Sequence, residues 1–181
     1  GYNDGAGNPP NPNGLATDYL WKEILKRENL ADIIENYAQI VEEEDAQGRT
    51  KQKQIFPRYH QWTVVRQLLA HAESNGAGTR YLIQHSAGSG KSNSIAWLAH
   101  QAIELKRNGE PVFDTLIVVT DRRVLDKQIR ENIKQFIQSG KKIIITTVQK
   151  FPFILDEIGN EHRNRSFAIV IDEAHSSQGG R

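Results

Sequence analysis

The chain contains no cysteine, which excludes a disulfide framework and any zinc or iron–sulfur site built on thiolates, and is compatible with a reducing compartment. It has no excess of charge of either sign, since 23 basic residues stand against 22 acidic ones. Nothing in the overall balance points to a polyanion or a membrane surface, so any such partner has to be sought in local placement. No apolar run approaches the ~20 residues of a membrane-spanning helix. The opening residues, GYNDGAGNPPNPNG, lack the basic start and apolar centre of a secretion signal. What is present is 181 residues with 38% hydrophobic and 25% charged side chains. That length and balance suit one globular domain with a modest appendage, and the expectation is a soluble, cytoplasmic protein without a membrane segment.

Along the chain, residues 1–14 hold Asn, Gly and Pro too densely for periodic structure and read as a lead-in, as if cut from something longer. Two short helices follow. Trp21, Ile24 and Leu25 share one face of TDYLWKEILKR, and Leu30, Ile33, Ile34 and Tyr37 share one face of NLADIIENYAQI, with Asn29 able to cap the second. EEEDAQGRTKQKQ is charged, Gly-bearing and unpatterned, which marks an exposed connector and places a division at 47/48. From Arg58 onward Val65, Leu68, Leu69 and Ala72 trace a helix that stops at NGAG. Strands and helices then alternate: YLIQH, a helix on Ile95, Leu98, Ala99 and Ala102, FDTLIVVT, a helix on Leu125, Ile129, Ile133 and Phe136, KIIITT, a short helix broken by Pro152, and FAIVIDE. Unbroken apolar strands are those covered on both faces, so the expected fold is α/β: a three-layer phosphate-loop domain over 48–181 with a mainly parallel sheet, preceded by a helical linker region over 1–47. Ligands of such a sheet gather at the carboxyl ends of its strands.

One junction carries specific chemistry. After the strand-like YLIQH comes SAGSGKS and then a helix. Backbone N–H groups of a Gly-rich turn and of a helix N-terminus can surround the phosphates of ATP there. Ser86, Ala87, Gly88, Ser89 and Gly90 would form the cradle, Lys91 would meet the β- and γ-phosphates, and the Ser92 hydroxyl would ligate Mg²⁺. His85 stands where the full pattern has glycine. The apolar strand FAIVIDE ends in two acids: Asp172 would hold Mg²⁺ through water, and Glu173 would orient and activate the attacking water. The plain alternatives are a Gly-rich turn with an incidental lysine and a solvated strand end. Each explains one half and leaves the other a coincidence. His175 reads either as an ordinary surface or core histidine or as a link from the ATP site to moving parts.

GSGKS and DEAH on strands in this order resemble the N-terminal RecA-like lobe of superfamily 2 helicases and translocases. RYHQ resembles the glutamine motif of those proteins, VVTDRRVLDKQ their motif Ia and ITTVQKF their motif Ib. The longer strings FPRYHQ, LIQHSAGSGKSNSIAWLAHQ, IVVTDRRVLDKQ, IIITTVQKFP and IVIDEAHSSQ are similar to the motor of the R subunit of type I restriction enzymes, and GNPPNPNG with TDYLW resembles the segment leaving that subunit's nuclease domain. The resemblance implies an ATP- and Mg²⁺-dependent motor that translocates double-stranded DNA beside methylation and specificity subunits. It implies that Gln61 contacts adenine, and that Thr120, Arg122, Arg123, Thr146, Thr147 and Gln149 face the DNA backbone, where hydroxyls, amides and guanidinium groups hold register without reading sequence. The plain reading of Arg122 and Arg123 is surface charge at a helix start, and that of Gln61 is a surface position on a helix.

Two departures from that pattern matter. NIKQFIQSGKKIII joins helix to strand within a few residues, where the family usually has a further strand and helix. The sequence also ends at SSQGGR without the motif III strand, the second lobe and its arginine, and shows no nuclease signature. The expectations are a piece with little activity alone and a gap in the sheet between the phosphate-loop strand and the DEAH strand. The competing functions are a strand-separating DEAH helicase lobe and a non-hydrolysing nucleotide-binding scaffold.

Overall fold

The computed structural model describes Asn8, residues 11–44, Gly48, residues 50–86, 88–120, 142–149, 151–152 and 165–172. Contacts divide the chain into two compact units, Gly1–Arg66 and Gln67–Arg181.

In the first unit a π-helical turn, Leu20–Ile24, precedes helix α1, Arg27–Asn36. The turn is closed by the Leu25 N–H donating to the Leu20 carbonyl at 2.8 Å, five residues back. Asn29 is not the cap of α1: the helix begins at Arg27, with Lys26 extended at its N-cap. The Asn29 side chain is buried and bonds in both directions, donating to the Glu23 carbonyl at 2.8 Å and accepting from Arg66 Nη1 at 3.1 Å.

The stretch expected to be a connector forms a hairpin, strand β1 (Gln39–Glu44) antiparallel to β2 (Thr50–Ile55), with Gln39 opposite Ile55 and Glu42 opposite Gln52. The pairing leaves no period-two apolar signal because β2 is exposed along nearly its whole length, and without a buried face alternation has nothing to mark. Helix α2, Tyr59–Asn75, then begins. Tyr59, Trp62 and Arg66 lie on one side of it by helical spacing. The Tyr59 hydroxyl donates to Glu23 at 2.9 Å, the Trp62 indole N–H to Asp32 at 3.0 Å, and the Arg66 guanidinium lies 4.4 Å from the Trp62 ring centroid. These bonds tie the first turns of α2 to the helical segment. They explain why contacts divide after Arg66, whereas composition changes near residue 47.

In the second unit α2 ends at Asn75. Gly76, at φ +76°, donates its N–H to the Ala72 carbonyl at 2.8 Å and turns the chain out of the helix. Helix α3 spans Lys91–Glu104. A two-residue hairpin, β3 (Lys106–Arg107) with β4 (Glu110–Pro111), follows across Asn108 and Gly109, both at positive φ as such a tight turn demands. The main sheet has the order β6-β5-β7, from β5 (Thr115–Thr120), β6 (Lys142–Thr147) and β7 (Phe167–Ile171), all parallel. Leu116 is in register with Ile143 and Ala168, and Val118 with Ile145 and Val170. These two apolar rows pack with Ala99, Ala102 and Ile103 of α3 into the core, and every residue of β5 is buried. The parallel sheet with a helix laid on it is the expected α/β architecture.

Tyr81–His85, expected to be a strand, is not one. An extended segment becomes a strand only when a neighbour takes up its alternating N–H and C=O groups. Among the described residues none pairs with this segment, and Leu82 is 91% exposed. Its first residue is tied to α2, where the Tyr81 hydroxyl and His71 Nδ1 lie 2.7 Å apart with their rings edge to face. Among the described residues β7 likewise has a ladder partner on one side only, and Ile169 and Ile171 are exposed. The helix expected on Leu125–Phe136 and the short connection before β6 lie outside the described residues.

Candidate active site

The phosphate-loop segment owes its shape to two glycines. Gly88 has φ +72° and Gly90 φ +82°, a region that side chains with a Cβ enter at a cost of about 1–2 kcal/mol. A Cβ built on Gly88 would meet nothing within 4 Å, so that side of the loop is open space. Between them the Ser89 N–H donates to the Ser86 carbonyl at 3.3 Å and closes a turn. Gly90 is the N-cap of α3. The helix's own bonding starts with the N–H groups of Asn93 and Ser94, both donating to the Gly90 carbonyl. The N–H groups of Lys91 and Ser92 precede that point, where a helix has no carbonyl of its own to offer and its dipole is positive. Among the described residues the Lys91 ammonium makes no ion pair. An open glycine cradle, first-turn amides and a lysine are the donor set that a polyphosphate needs, so Ser86, Gly88, Ser89, Gly90, Lys91 and Ser92 fit the phosphates of ATP. Ala87 lies outside the described residues.

Because the sheet is parallel, its strands all end at one edge. Val119 pairs with Ile171, Thr120 pairs with Thr147, and the Asp172 N–H donates to the Val119 carbonyl at 2.9 Å, continuing the ladder one residue beyond β7. Thr147, Thr120 and Asp172 therefore stand in a row across three adjacent strand ends. Asp172 is 6% exposed, and a carboxylate so enclosed is costly without a cation or donors to meet it. Glu173 and His175 lie outside the described residues, as do Arg122 and Arg123.

Several expected residues sit differently from their sequence reading. Thr120 and Thr146, expected at the DNA backbone, are buried, and Thr120 is 0% exposed. The Thr146 hydroxyl donates to the Thr147 carbonyl at 3.4 Å. Thr147 is half-buried and Gln149 exposed. Gln61 is no surface position: it is 3% exposed, and its side-chain carbonyl accepts the Arg58 N–H at 2.8 Å. That is the reciprocal half of a capping box, three residues into α2. Two hydroxyls that sequence reasoning did not single out as buried orphans, Thr120 Oγ1 and Ser94 Oγ in the first turn of α3, are enclosed without a partner among the described residues. Only the register, which no motif encodes, shows that Thr120 is level with Asp172.

Among the described residues no helix is long and apolar enough to cross a membrane. No curated protein and no solved structure matches the chain. The SWI2/SNF2 ATPase family matches residues 60–181, from the first turn of α2 through the phosphate loop to the acidic strand end and beyond. With well over half its length so matched, the chain belongs to the SWI2/SNF2 ATPases and carries a helicase-like ATPase lobe of superfamily 2.

Proposed function

We propose that this lobe is the ATP-hydrolysing motor of a type I restriction R subunit, translocating double-stranded DNA beside methylation and specificity subunits in the cytoplasm. The observation that carries the ATPase part is the pairing of an open glycine cradle at the N-terminus of α3 with a buried Asp172 at the end of β7. The restriction assignment rests on the long strings from FPRYHQ to IVIDEAHSSQ and on the Pro- and Asn-rich lead-in.

Bound Mg-ATP supplies the phosphoanhydride to be broken and a cation to balance charge on the leaving phosphate. The chain's own residues do the rest. Backbone N–H groups from Gly88 to Ser92 orient the phosphates, and the Lys91 ammonium faces the β- and γ-oxygens. Ser92 and Asp172 would hold the metal, Asp172 through water. Glu173 takes a proton from the attacking water, and Gln61 meets adenine. On the DNA side, Arg122 and Arg123 with Thr147 and Gln149 hold the backbone without reading sequence, and His175 links the ATP site to that surface.

The test is a triplex-displacement assay on the full-length protein with its partner subunits, with DNA-stimulated ATP hydrolysis measured in parallel. Displacement of a third strand without separation of the duplex is the expected outcome. Duplex separation would assign the lobe to a strand-separating helicase. Nucleotide binding without stimulated hydrolysis would assign it to a scaffold.

A further inference from the structure

We propose that Thr120 is a positioning residue of the ATP site, its hydroxyl donating to the Asp172 carboxylate when Mg-nucleotide is bound, and is not a DNA-backbone contact. This rests on the reading of Asp172 as the metal-holding acid.

Three observations carry it. First, Thr120 is fully enclosed and cannot touch a DNA phosphate from where it stands. Second, its hydroxyl has no hydrogen-bond partner among the described residues. A buried donor left unmade is among the more expensive features a core can keep, and a methyl group of the same shape would remove the cost. Third, the ladder fixes its neighbours. Val119 pairs with Ile171 and the Asp172 N–H bonds the Val119 carbonyl, so Thr120 and Asp172 are lateral neighbours on adjacent parallel strands. Adjacent strands lie about 4.8 Å apart. Side chains alternate between faces, so Thr120 shares the face of Val118 and Leu116, which pack with Ala99, Ala102 and Ile103 of α3. That face is the one covered by the helix whose first turn carries Lys91 and Ser92. An unused donor one strand away from the acid, under the phosphate-loop helix, is placed to fix which carboxylate oxygen turns toward the metal's water. No step consumes the Thr120 proton, so the residue acts only through Asp172.

The test uses the full-length protein with Thr120→Val, which keeps shape and removes the hydroxyl, Thr120→Ser, which restores it, and Lys91→Ala. Melting temperature is measured without nucleotide. Binding of a fluorescent ATP analogue is measured with and without Mg²⁺, and the Mg²⁺ dependence of hydrolysis is followed separately. Thr120→Val is expected to melt roughly 2–6 °C higher than wild type, because the orphaned hydroxyl is gone. It is expected to bind the analogue unchanged without Mg²⁺ but roughly tenfold more weakly with it, and to need more Mg²⁺ for half-maximal hydrolysis, with Thr120→Ser close to wild type. Unchanged Mg²⁺-dependent binding in Thr120→Val overturns the proposal. So does a lower melting temperature, which would reveal a structural partner for the hydroxyl, and so does equal damage in Thr120→Ser, which would make the effect one of packing. Lys91→Ala separates the two levels: if it binds the analogue as wild type, the ATP site itself is misassigned and the role of Thr120 falls with it. If Lys91→Ala loses binding while Thr120→Val keeps it, only the role of Thr120 falls.

Discussion

Replacing Gly88 by Ala separates what the phosphate loop costs the fold from what it does for nucleotide. Gly88 sits at φ +72°, and a Cβ there would meet nothing within 4 Å. No clash adds to the conformational strain, so the penalty is that of the left-handed region alone, about 1–2 kcal/mol. For a chain of this length each kcal/mol lowers the melting temperature by roughly 2–4 °C, and the expected fall is about 2–8 °C. The effect on ATP should be much larger, because the added methyl projects into the open space from which phosphate approaches the backbone amides, and at least a tenfold loss of affinity is expected. Gly78→Ala is the matched control: Gly78 also has positive φ, +113°, and open space around a built Cβ, but it lies upstream of the loop. It should cost comparable or greater stability and leave ATP binding intact. Thermal unfolding with titration of a fluorescent ATP analogue reads both quantities on both variants. If Gly88→Ala melted lower as expected yet bound the analogue like wild type, the open side of Gly88 would not be the phosphate cradle. If Gly78→Ala lost binding equally, the effect would be one of general destabilisation.

Glu173→Gln should keep ATP binding and abolish turnover, because it removes the base and leaves Lys91, Ser92 and Asp172 in place, and near wild-type DNA-stimulated hydrolysis would remove Glu173 from the water-activating role. Arg122→Ala and Arg123→Ala should each flatten the log–log salt dependence of DNA binding by about one unit without altering sequence preference, whereas unchanged slopes would return both to plain surface charge. In the first unit, partial burial and then the hydrogen bond to Glu23 raise the Tyr59 pKa above its ordinary 10.0. A phenol that holds its proton more tightly when folded stabilises fully below that ordinary value and loses the contribution as pH rises through the raised one. Stability to urea should therefore decline at strongly alkaline pH, and Tyr59→Phe should be measurably less sensitive over the same range.

How far the sequence could be read depended on whether a residue's neighbours in space are also its neighbours in the chain. The unbroken apolar runs TLIVVT, KIIITT and FAIVI announced a parallel sheet and became β5, β6 and β7, because an apolar run is a local trace, although only β5 is buried along its whole length. SAGSGKS was legible for the same reason: positive φ at Gly88 and Gly90 and a helix starting at Lys91 are local requirements. Tyr81–His85 has the apolar content of a strand, but a strand also needs a partner, and content cannot supply one. The hairpin of β1 and β2 was hidden because β2 is exposed along nearly its whole length and carries no alternation. Asn29 looks like a cap and instead bridges Glu23 and Arg66, a partner 37 residues away that spacing cannot show. Thr120 was read by its place in a motif, and only the ladder revealed that it is enclosed beside Asp172.

Several buried polar groups of the second unit stand at the carboxyl ends of its strands, beside others such as Thr115 at the start of β5 and Gln101 Nε2 in α3. In β5 the four residues from Leu116 to Val119 are apolar and enclosed, and Leu116 and Val118 pack with α3. At the carboxyl end this changes within one residue: Thr120, Thr146 and Asp172 are all buried, and Ser89 and Ser94 are buried beside the N-cap of α3 and in its first turn. A core selected only for stability would not leave the Thr120 hydroxyl unsatisfied where valine would fit. Rules of burial are relaxed where a protein has something to bind, and Thr120 and Asp172 depart from them side by side at the carboxyl edge of the parallel sheet. That conjunction of energetic cost and topology agrees with the place the motifs mark. It also predicts that polar-to-apolar substitutions at this edge stabilise the empty protein while impairing its response to Mg-ATP, whereas the same class of substitution at exposed positions of β2 does neither.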